Sequence, residues 1–311
     1  MSTSSTWHPG EIEAQMRAGS HDRMQAIGSR AIHPTLSDQQ CHFFSQLPLV
    51  MAAAEDTSGR LWATALSGRP GFIHAPDPTT LIVNSGPIPL DPLADALVPG
   101  SEIALLGIDF SNRRRNRVNA TITAATHQHL ELSIKQAFGN CPKYIQIRQR
   151  KQHPNPGVSA ATHFSGIDTA LAGFLQRSDT CFIASLFRDN DRKANRGVDI
   201  SHRGGRPGFV VVADEQTLLI PDYAGNNYFN TVGNLMRDPR AALLFFNFSR
   251  GHLVHLSGEC EVVWREDEAI PFDNVQRMLR FRLQRGRVVR NGLPFSYGPA
   301  DFSPFNPPVG V

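Results

Sequence analysis

The chain has 311 residues, of which 41% are hydrophobic and 19% are charged, and its formal net charge at pH 7 is +3. This apolar fraction excludes a disordered chain, and the near-neutral charge gives no strong reason to expect a nucleic acid or an anionic membrane as a partner. We therefore expect a globular protein with a substantial core and, from its length, about two domains.

No apolar run approaches the roughly 18 residues that a membrane-spanning helix needs. Ala241 to Phe246, for example, has only the length of a strand. The N-terminal residues Met1 to His8 lack the basic start and the apolar stretch of a signal peptide. The four cysteines lie far apart and form no C-x-x-C pair, which is typical of free thiols. The sequence thus predicts a cytoplasmic protein.

Three blocks of sequence recur at a separation of 137 or 138 residues. They are Gly68–Phe72 with Gly205–Phe209, Thr80-Leu81 with Thr217-Leu218, and Asp109–Ser111 with Asn247–Ser249. A nearly constant separation predicts a duplicated domain. We predict an N-terminal helical extension over residues 1–34, a first repeat over 35–152, a linker over 153–162 and a second repeat over 163–311.

The predicted elements are mostly short strands with a few helices. Helices are predicted over residues 11–27, 37–46, 168–177 and 228–237, and strands of the second repeat over 180–186, 209–212, 217–220, 242–246, 252–256 and 279–283. Short connections between successive strands favour antiparallel pairing. The predicted fold class is therefore mainly β with small helices, built from antiparallel strands in two similar units.

Several familiar sites are absent from the sequence. It contains no G-x-x-x-x-G-K-[ST], no G-x-S-x-G and no H-E-x-x-H motif. His127 and His129 have no third ligand at a suitable spacing, so we expect no metal site. The basic run Arg113–Arg117 aligns through the repeat with the predicted turn Ser249–Gly251, which favours a solvated turn over a nucleic-acid patch.

The strongest chemical candidate is the segment from Pro221 to Leu235. A strand ends there, a loop with Gly225 follows, and a helix is predicted to begin near Asn226 and Asn227. Asparagine caps helices, and the free N–H groups of a helix start bind phosphate, so the segment predicts either a phosphate site or an ordinary cap without a ligand. In the first repeat the same positions hold Pro89 and Leu90, so any phosphate site belongs to the second repeat.

A second candidate is the segment Asp199–Gly205. It brings a hydroxyl, an imidazole and a guanidinium together with two glycines near a strand end. The glycines would let a flat ligand approach the backbone, and Arg203 would supply charge for a phosphate or a reduced ring. A tight turn with a solvated arginine is the alternative.

These residues resemble a known family. The stretches Ser201–Phe209, Pro221–Asn227 with Asn230-Thr231 and Gly233–Leu235, and Asp238–Phe246 are similar to those of the pyridoxamine 5′-phosphate oxidase-related FMN-binding proteins. His8–Glu11 and Gln136–Gln146 resemble segments of a two-repeat subgroup of that family. The resemblance covers about residues 7–300.

The resemblance implies a split β-barrel, usually a homodimer that holds FMN at the interface. Ser201, His202 and Arg203 would then lie along the flavin, with backbone N–H groups from Gly204 onward facing the ring. Pro221, Asp222, Asn226 and Asn227 would lie near the ribityl phosphate, and Asn230 joins the implied cofactor-binding residues.

The chain departs from the family at the phosphate. The oxidases themselves carry an Arg-Lys pair where this chain has Asn226-Asn227, so two positive charges are missing. The phosphate is then left to neutral hydrogen bonds, the helix start and a distant cation such as Arg203 or Lys143. The substrate-binding basic residues of the oxidases are not recognisable either, which argues against vitamin B6 oxidation.

The resemblance implies an FMN-dependent oxidoreductase acting on an unidentified small substrate or electron donor. The alternatives are a non-catalytic flavin-binding, storage or sensing module, and a degenerate barrel that binds another ligand such as haem. No catalytic residue stands out; His202 is the best acid–base candidate because its unperturbed pKa is near neutrality. We predict that Asn227→Ala weakens FMN retention and that Pro89→Ala does not.

Overall fold

Two antiparallel sheets contain most of the strands in the computed structural model, which describes residues 6–151, 157–188, 196–273 and 275–307. The first sheet contains β1 (Leu49–Glu55), β2 (Leu61–Ser67), β3 (Ile73–Asp77), β4 (Thr80–Val83), β5 (Glu102–Asp109), β6 (Arg114–Thr126) and β7 (His129–Gly139). After the short β8 (Arg150–Lys151), the second sheet contains β9 (Ala160–Phe164), β10 (Thr180–Phe187), β11 (Gly197–Gly204), β12 (Val211–Val212), β13 (Thr217–Asp222), β14 (Arg240–Asn247), β15 (His252–Trp264) and β16 (Arg277–Arg290). The last strand, β17 (Ser296–Tyr297), pairs with β8.

The two sheets have the same order of strands. The first runs β2-β1-β5-β6-β7-β4-β3, and the second runs β11-β10-β14-β15-β16-β13-β12, with β9 added beside β16. The predicted fold class, mainly β with antiparallel strands and small helices, is confirmed. A duplication would produce this equal order, although the duplication and the domain boundaries themselves stay predictions.

The sheets pack against each other reciprocally. Strand β2 lies against β14 and β15, and its counterpart β11 lies against β5 and β6. One buried cluster joins residues of both sheets, including Leu106, Ile108, Phe182 and Leu244. The two halves of the chain are therefore related as the subunits of a symmetric dimer are, with one shared core between them.

Five helices accompany the sheets in the described part of the chain. They are α1 (Pro9–Arg17), α2 (His21–Ala31), α3 (Asp38–Gln46), α4 (Thr169–Arg177) and α5 (Asn230–Leu235). The predictions of α3 and α4 are confirmed, and Ser37 and Asp168 cap them through their side chains. The single helix predicted over 11–27 is wrong: the chain breaks at Gly19, which has a left-handed φ of +63°, and two helices result.

Several predicted boundaries also differ. The strand predicted over 209–212 is only two residues long, whereas β15 and β16 extend well beyond their predicted bounds. Of the predicted linker, residues 153–156 lie outside the described residues, and residues 160–162 belong to β9, which pairs with β16. The helix predicted over 228–237 is shortened to α5.

Within the described part of the chain, no helix has both the length and the apolar character needed to cross a membrane.

Candidate functional site

A cleft lies where β6 of the first sheet meets β11 of the second. The connection from β13 into α5 and the segment after β7 complete it. Its lining residues are Arg115, Arg117, Asn140, Cys141, Lys143, Tyr144, Ser201, His202, Arg203, Gly204, Asp222, Tyr223, Gly225, Asn226, Asn227, Phe229, Asn230, Thr231, Val232 and Arg277. Nine of the ten residues that the sequence selected line this one cleft. The tenth, Pro221, is a buried residue of β13 paired with Met278.

A buried polar network forms one wall of the cleft. The Arg117 guanidinium donates to Asp199 Oδ1 at 2.7 Å and to Ser201 Oγ at 2.6 Å. Thr231 Oγ1 also hydrogen-bonds Ser201 Oγ, at 2.9 Å. Arg117, Asp199 and Ser201 are all at most 5% exposed. The network therefore joins β6 of the first sheet to β11 and α5 of the second in a setting from which water is excluded.

The network continues to the N-terminal helix. Asn230 accepts from Arg117 at 3.3 Å and donates through Nδ2 to the Glu11 carboxyl. Helix α1 reaches this position because Gly10 and Gly233 face each other: a Cβ on Gly10 would stand 2.1 Å from the Gly233 carbonyl oxygen. The segment His8–Glu11, noted in the sequence for its resemblance, thus packs on α5 behind the cleft.

Glu11 makes stability depend on pH. Burial raises the pKa of its carboxyl from 4.5 to about 8. Between these values the unfolded chain ionises Glu11 while the folded chain keeps the proton, so the free energy of unfolding falls as pH rises toward 8. Burial lowers the pKa of His8 from 6.5 to about 4, so His8 is neutral in both states above pH 6.5 and does not contribute there.

We expect the free energy of unfolding of the native chain to fall by about 1–2 kcal/mol between pH 6.5 and pH 8 relative to that of Glu11→Gln. Parallel urea titrations of the two proteins at both pH values measure this difference. Other titrating groups cancel in the comparison. Identical pH profiles for the two proteins would show that Glu11 is already ionised in the folded state.

The cleft is rich in positive charge. Four arginines and Lys143 line it, against the single carboxylate of Asp222. Asp222 is shared: its Oδ1 lies 3.2 Å from Arg203 Nη2, and its Oδ2 accepts from Arg277 Nε at 3.0 Å. Arg117 is neutralised by Asp199 behind the lining. The remaining excess of cations makes the cleft suited to an anionic ligand.

The solvated turn predicted for Arg113–Arg117 is wrong for two of these arginines. The turn covers residues 110–113, and β6 begins at Arg114. Arg115 and Arg117 lie two residues apart in β6 and therefore on one face of the sheet, toward the cleft, whereas Arg114 is exposed. Sequence reasoning missed both because the alignment of the repeats placed them in a hairpin tip.

His202 is a poor acid–base residue in this structure. It is 4% exposed, and burial together with the nearby guanidinium groups of Arg115 and Arg203 holds its pKa well below the usual value of 6.5. Its Nε2 has no hydrogen-bond partner within the described chain. The imidazole is therefore neutral near pH 7, and the role that the sequence suggested for it is not supported.

The adjacent glycines Gly204 and Gly205 do not open the backbone to a flat ligand. A Cβ on Gly204 would stand 2.1 Å from the Tyr144 carbonyl oxygen, and a Cβ on Gly205 would stand 2.6 Å from Phe209 Cβ. The chain itself fills both spaces, which corrects the interpretation of these glycines. In contrast, a Cβ on Gly225 would meet no atom within 4 Å.

The two asparagines of the loop do not cap α5. The helix begins at Asn230, and the preceding Phe229 has a left-handed φ of 61° and makes no side-chain cap. Asn226 accepts instead from the backbone N–H of Tyr228 at 3.1 Å, and Asn227 is left-handed with a φ of 64°. The predicted cap is therefore wrong, whereas the phosphate site itself stays a prediction; the asparagines shape the loop and line the cleft.

Aromatic side chains narrow the mouth of the cleft. The Tyr144 hydroxyl donates to the Ala224 carbonyl at 2.8 Å, and the rings of Tyr144 and Tyr223 lie 5.2 Å apart. The free space inside is about 100 Å³, less than the roughly 300–1,000 Å³ of most small-molecule sites. A ligand larger than this space requires the cleft to widen.

The position related to this cleft by the approximate symmetry is filled. The predicted repeat aligns Thr64 of β2 with Ser201 and His255 of β15 with Arg117. There the Thr64 hydroxyl is hydrogen-bonded to Asp91, and His255 Nδ1 lies 2.9 Å from the Ala63 carbonyl oxygen. Thr64, Asp91 and His255 are all at most 3% exposed, so the chain closes this second position with its own residues.

Metal binding has no support in the described residues, where no three histidine, cysteine or acidic side chains come together.

The fold and the cleft define an antiparallel β protein whose two like sheets hold a cationic cleft at their junction. Residues 167–283 match the family model of pyridoxamine 5′-phosphate oxidase. This part of the chain includes β11, the loop and α5, and its match supports the relationship to the pyridoxamine 5′-phosphate oxidase-related family that the motifs predicted. No curated protein matches the chain in sequence.

Solved structures of low similarity include three proteins. A Lactobacillus delbrueckii protein described as a pyridoxamine 5′-phosphate oxidase has 21% sequence identity and a TM-score of 0.27, and the match covers 34% of this chain and 95% of that protein. A FAD-binding protein from Mesorhizobium loti has 10% identity and a TM-score of 0.27, over 42% and 99%. An FMN-binding protein from Syntrophomonas wolfei has 10% identity and a TM-score of 0.25, over 37% and 81%. At this level of similarity these structures do not bear on the function of the chain.

Proposed function

We propose that the chain is an FMN-binding flavoprotein that acts as an oxidoreductase on a small substrate. The observation that carries the proposal is the cleft between the two sheets. It gathers nine of the ten residues selected from the family-like motifs, and residues 167–283 match the family model.

The residues of the cleft fit this ligand in charge and in polarity. The excess of cations suits a phosphate, and the amides of Asn226 and Asn227 offer neutral hydrogen bonds to a ribityl chain. The isoalloxazine would lie beside Ser201 and Arg203. Bound FMN would supply the electron or hydride transfer.

The chain's own residues would bind and orient the cofactor. The Arg117–Asp199 pair fixes Ser201, and the Asp222 carboxylate fixes Arg203 beside the ligand space. A guanidinium held at this place favours a ligand that becomes more negative when it is reduced. The buried wall formed by this network keeps water from one side of the ligand.

One observation favours a non-catalytic flavin module as the second candidate. His202 is neutral and buried, and burial raises the pKa of Tyr223 to about 12 and also raises that of Tyr144. These lining groups are therefore poorly suited to proton transfer near neutral pH. A protein that is fully occupied by FMN, but whose FMN is not reduced by nicotinamide donors, would support this second candidate. No observation on the described residues favours the haem alternative.

The absorbance spectrum of the purified protein tests the proposal. After FMN is added and the excess is removed, we expect flavin bands that stay with the protein at one FMN per chain, because the symmetry-related position is filled. We also expect binding by a single chain, since both walls of the cleft come from one chain. Absence of retained flavin would refute the proposed function, and two FMN per chain would refute the single site.

The Asn227 amide is expected to contribute to FMN binding. Because Asn227 has a left-handed backbone, Asn227→Gly removes the side chain without strain, whereas Asn227→Ala adds strain. We expect Asn227→Gly to weaken FMN binding about 5- to 10-fold through the loss of one hydrogen bond. Fluorescence quenching of FMN measures the affinity.

Pro89→Ala is the matched control, because Pro89 holds the position of Asn226 in the first sheet and lies outside the cleft. This variant should bind FMN as the native chain does. Equal losses in Pro89→Ala and Asn227→Gly would contradict the assignment of the site to the second half.

A further inference from the structure

Arg115 differs from the other arginines of the cleft in having no anionic partner. Arg117 is paired with Asp199 at 2.7 Å, and Arg203 and Arg277 both lie against Asp222. Among the residues that the structure describes, none forms a hydrogen bond or an ion pair with the Arg115 guanidinium, and its Nε is buried without an acceptor. The positive charge of Arg115 thus lies in the cleft without an anionic partner among the described residues.

The surroundings make this arrangement unfavourable in the absence of a ligand. Burial, followed by repulsion from Arg117 and Arg203, lowers the pKa of Arg115 to about 9. Strand β6 places Arg115 on the same face as Arg117, so the side chain is directed into the cleft by the strand itself. An anion beside Arg115 would relieve this repulsion and accept from several of its five N–H groups.

We propose that Arg115 binds the phosphate group of FMN. It would thereby supply from the first half of the chain the positive charge that the second half lacks at Asn226-Asn227. The inference rests on the proposed function. It assigns the two parts of the ligand to different halves: the ring to β11, and the phosphate to β6 of the opposite sheet. A guanidinium suits this role because its planar fork matches two phosphate oxygens.

The test compares FMN with riboflavin, which lacks the phosphate, in Arg115→Gln and in the control Arg114→Gln. Arg114 is the neighbouring residue of β6 and is exposed, away from the cleft. Fluorescence quenching gives both affinities for each protein. We expect Arg115→Gln to lose about 10- to 100-fold in FMN affinity and to bind riboflavin unchanged. Arg114→Gln should bind both flavins as the native chain does.

Other results would overturn the assignment. Unchanged FMN affinity in Arg115→Gln would show that the phosphate lies elsewhere, while equal losses for FMN and riboflavin would show that Arg115 only supports the fold of the cleft. In either case the proposed function stands, because the native chain binds flavin.

A second arm uses inorganic phosphate and separates the inference from the proposed function. At constant ionic strength set with chloride, phosphate should raise the Tm of the native chain and of Arg114→Gln but not that of Arg115→Gln. If the native chain binds neither flavin, this result would still assign an anion site to Arg115 although the proposed function fails. Absence of a phosphate effect in a native chain that also fails to bind FMN would overturn both.

Discussion

Replacing Arg117 with methionine is expected to lower the free energy of unfolding by about 3–5 kcal/mol. Asp199 is 3% exposed and pairs with Arg117 at 2.7 Å, so the substitution leaves its carboxylate buried without a counter-charge. The hydrogen bond to Ser201, which ties β6 to β11, is lost as well. Urea denaturation at pH 7 measures the change.

Two further variants show whether the buried charge is the cause. Arg114→Met changes an exposed arginine of the same strand and should alter stability by about 0.5 kcal/mol or less. The double variant Arg117→Met/Asp199→Asn removes the uncompensated charge and should recover a large part of the loss. An Arg117→Met protein within 1 kcal/mol of the native chain would show that the pair does not hold the two sheets together.

Replacing Gly204 with alanine is expected to disrupt both stability and ligand binding. The new Cβ would stand 2.1 Å from the Tyr144 carbonyl oxygen, which is a backbone atom and cannot rotate away. Overpacking of this kind costs about 1–3 kcal/mol or more. It would also push the segment around Tyr144 away from β11, so we expect FMN affinity to fall about 10-fold or more, as the distortion reaches a cleft wall.

The matched control is Gly225→Ala, since a Cβ there meets no atom within 4 Å and its φ needs no glycine. Thermal denaturation and FMN titration of both variants give the comparison. Gly225→Ala should have the Tm of the native chain. A Gly204→Ala protein with native Tm and native FMN affinity would mean that the Tyr144 segment moves freely, and would remove this wall from the site.

Much of the candidate site could be predicted from residues that lie close together in the sequence. Ser201, His202 and Arg203 follow one another in β11, and Asp222, Asn226 and Asn227 follow β13, so short motifs were sufficient to select them. Their chemical state could not be predicted in this way. His202 is neutral because of burial and because Arg115 is near it, and Arg115 is 87 positions away in the chain.

Errors of prediction occurred where a residue's environment comes from the opposite half. Arg115 and Arg117 belong to a strand of the first sheet, yet both line the cleft beside residues of β11, and Arg117 is paired with Asp199 of the second sheet. The sequence suggested that Gly204 leaves room for a flat ligand, but the structure places the Tyr144 carbonyl oxygen against it. The sequence singled out Glu11 only as part of a family-like segment. In the structure its carboxyl accepts a hydrogen bond from Asn230 in the polar network behind the cleft.

The features that depend on local order follow from the sequence alone. The alternation of Leu279, Phe281 and Leu283 with polar residues marked one face of β16, and the caps Ser37 and Asp168 marked two helix starts. The family-like motifs indicated that the second half of the chain carries the candidate site. Which cations face the cleft and which of them have an anionic partner depends on the tertiary structure, as does the burial of Thr64, Asp91 and His255 at the position that the predicted repeat relates to the cleft. The physical reason is that charge compensation and desolvation depend on distances in space, which the packing of two sheets sets between residues far apart in the chain.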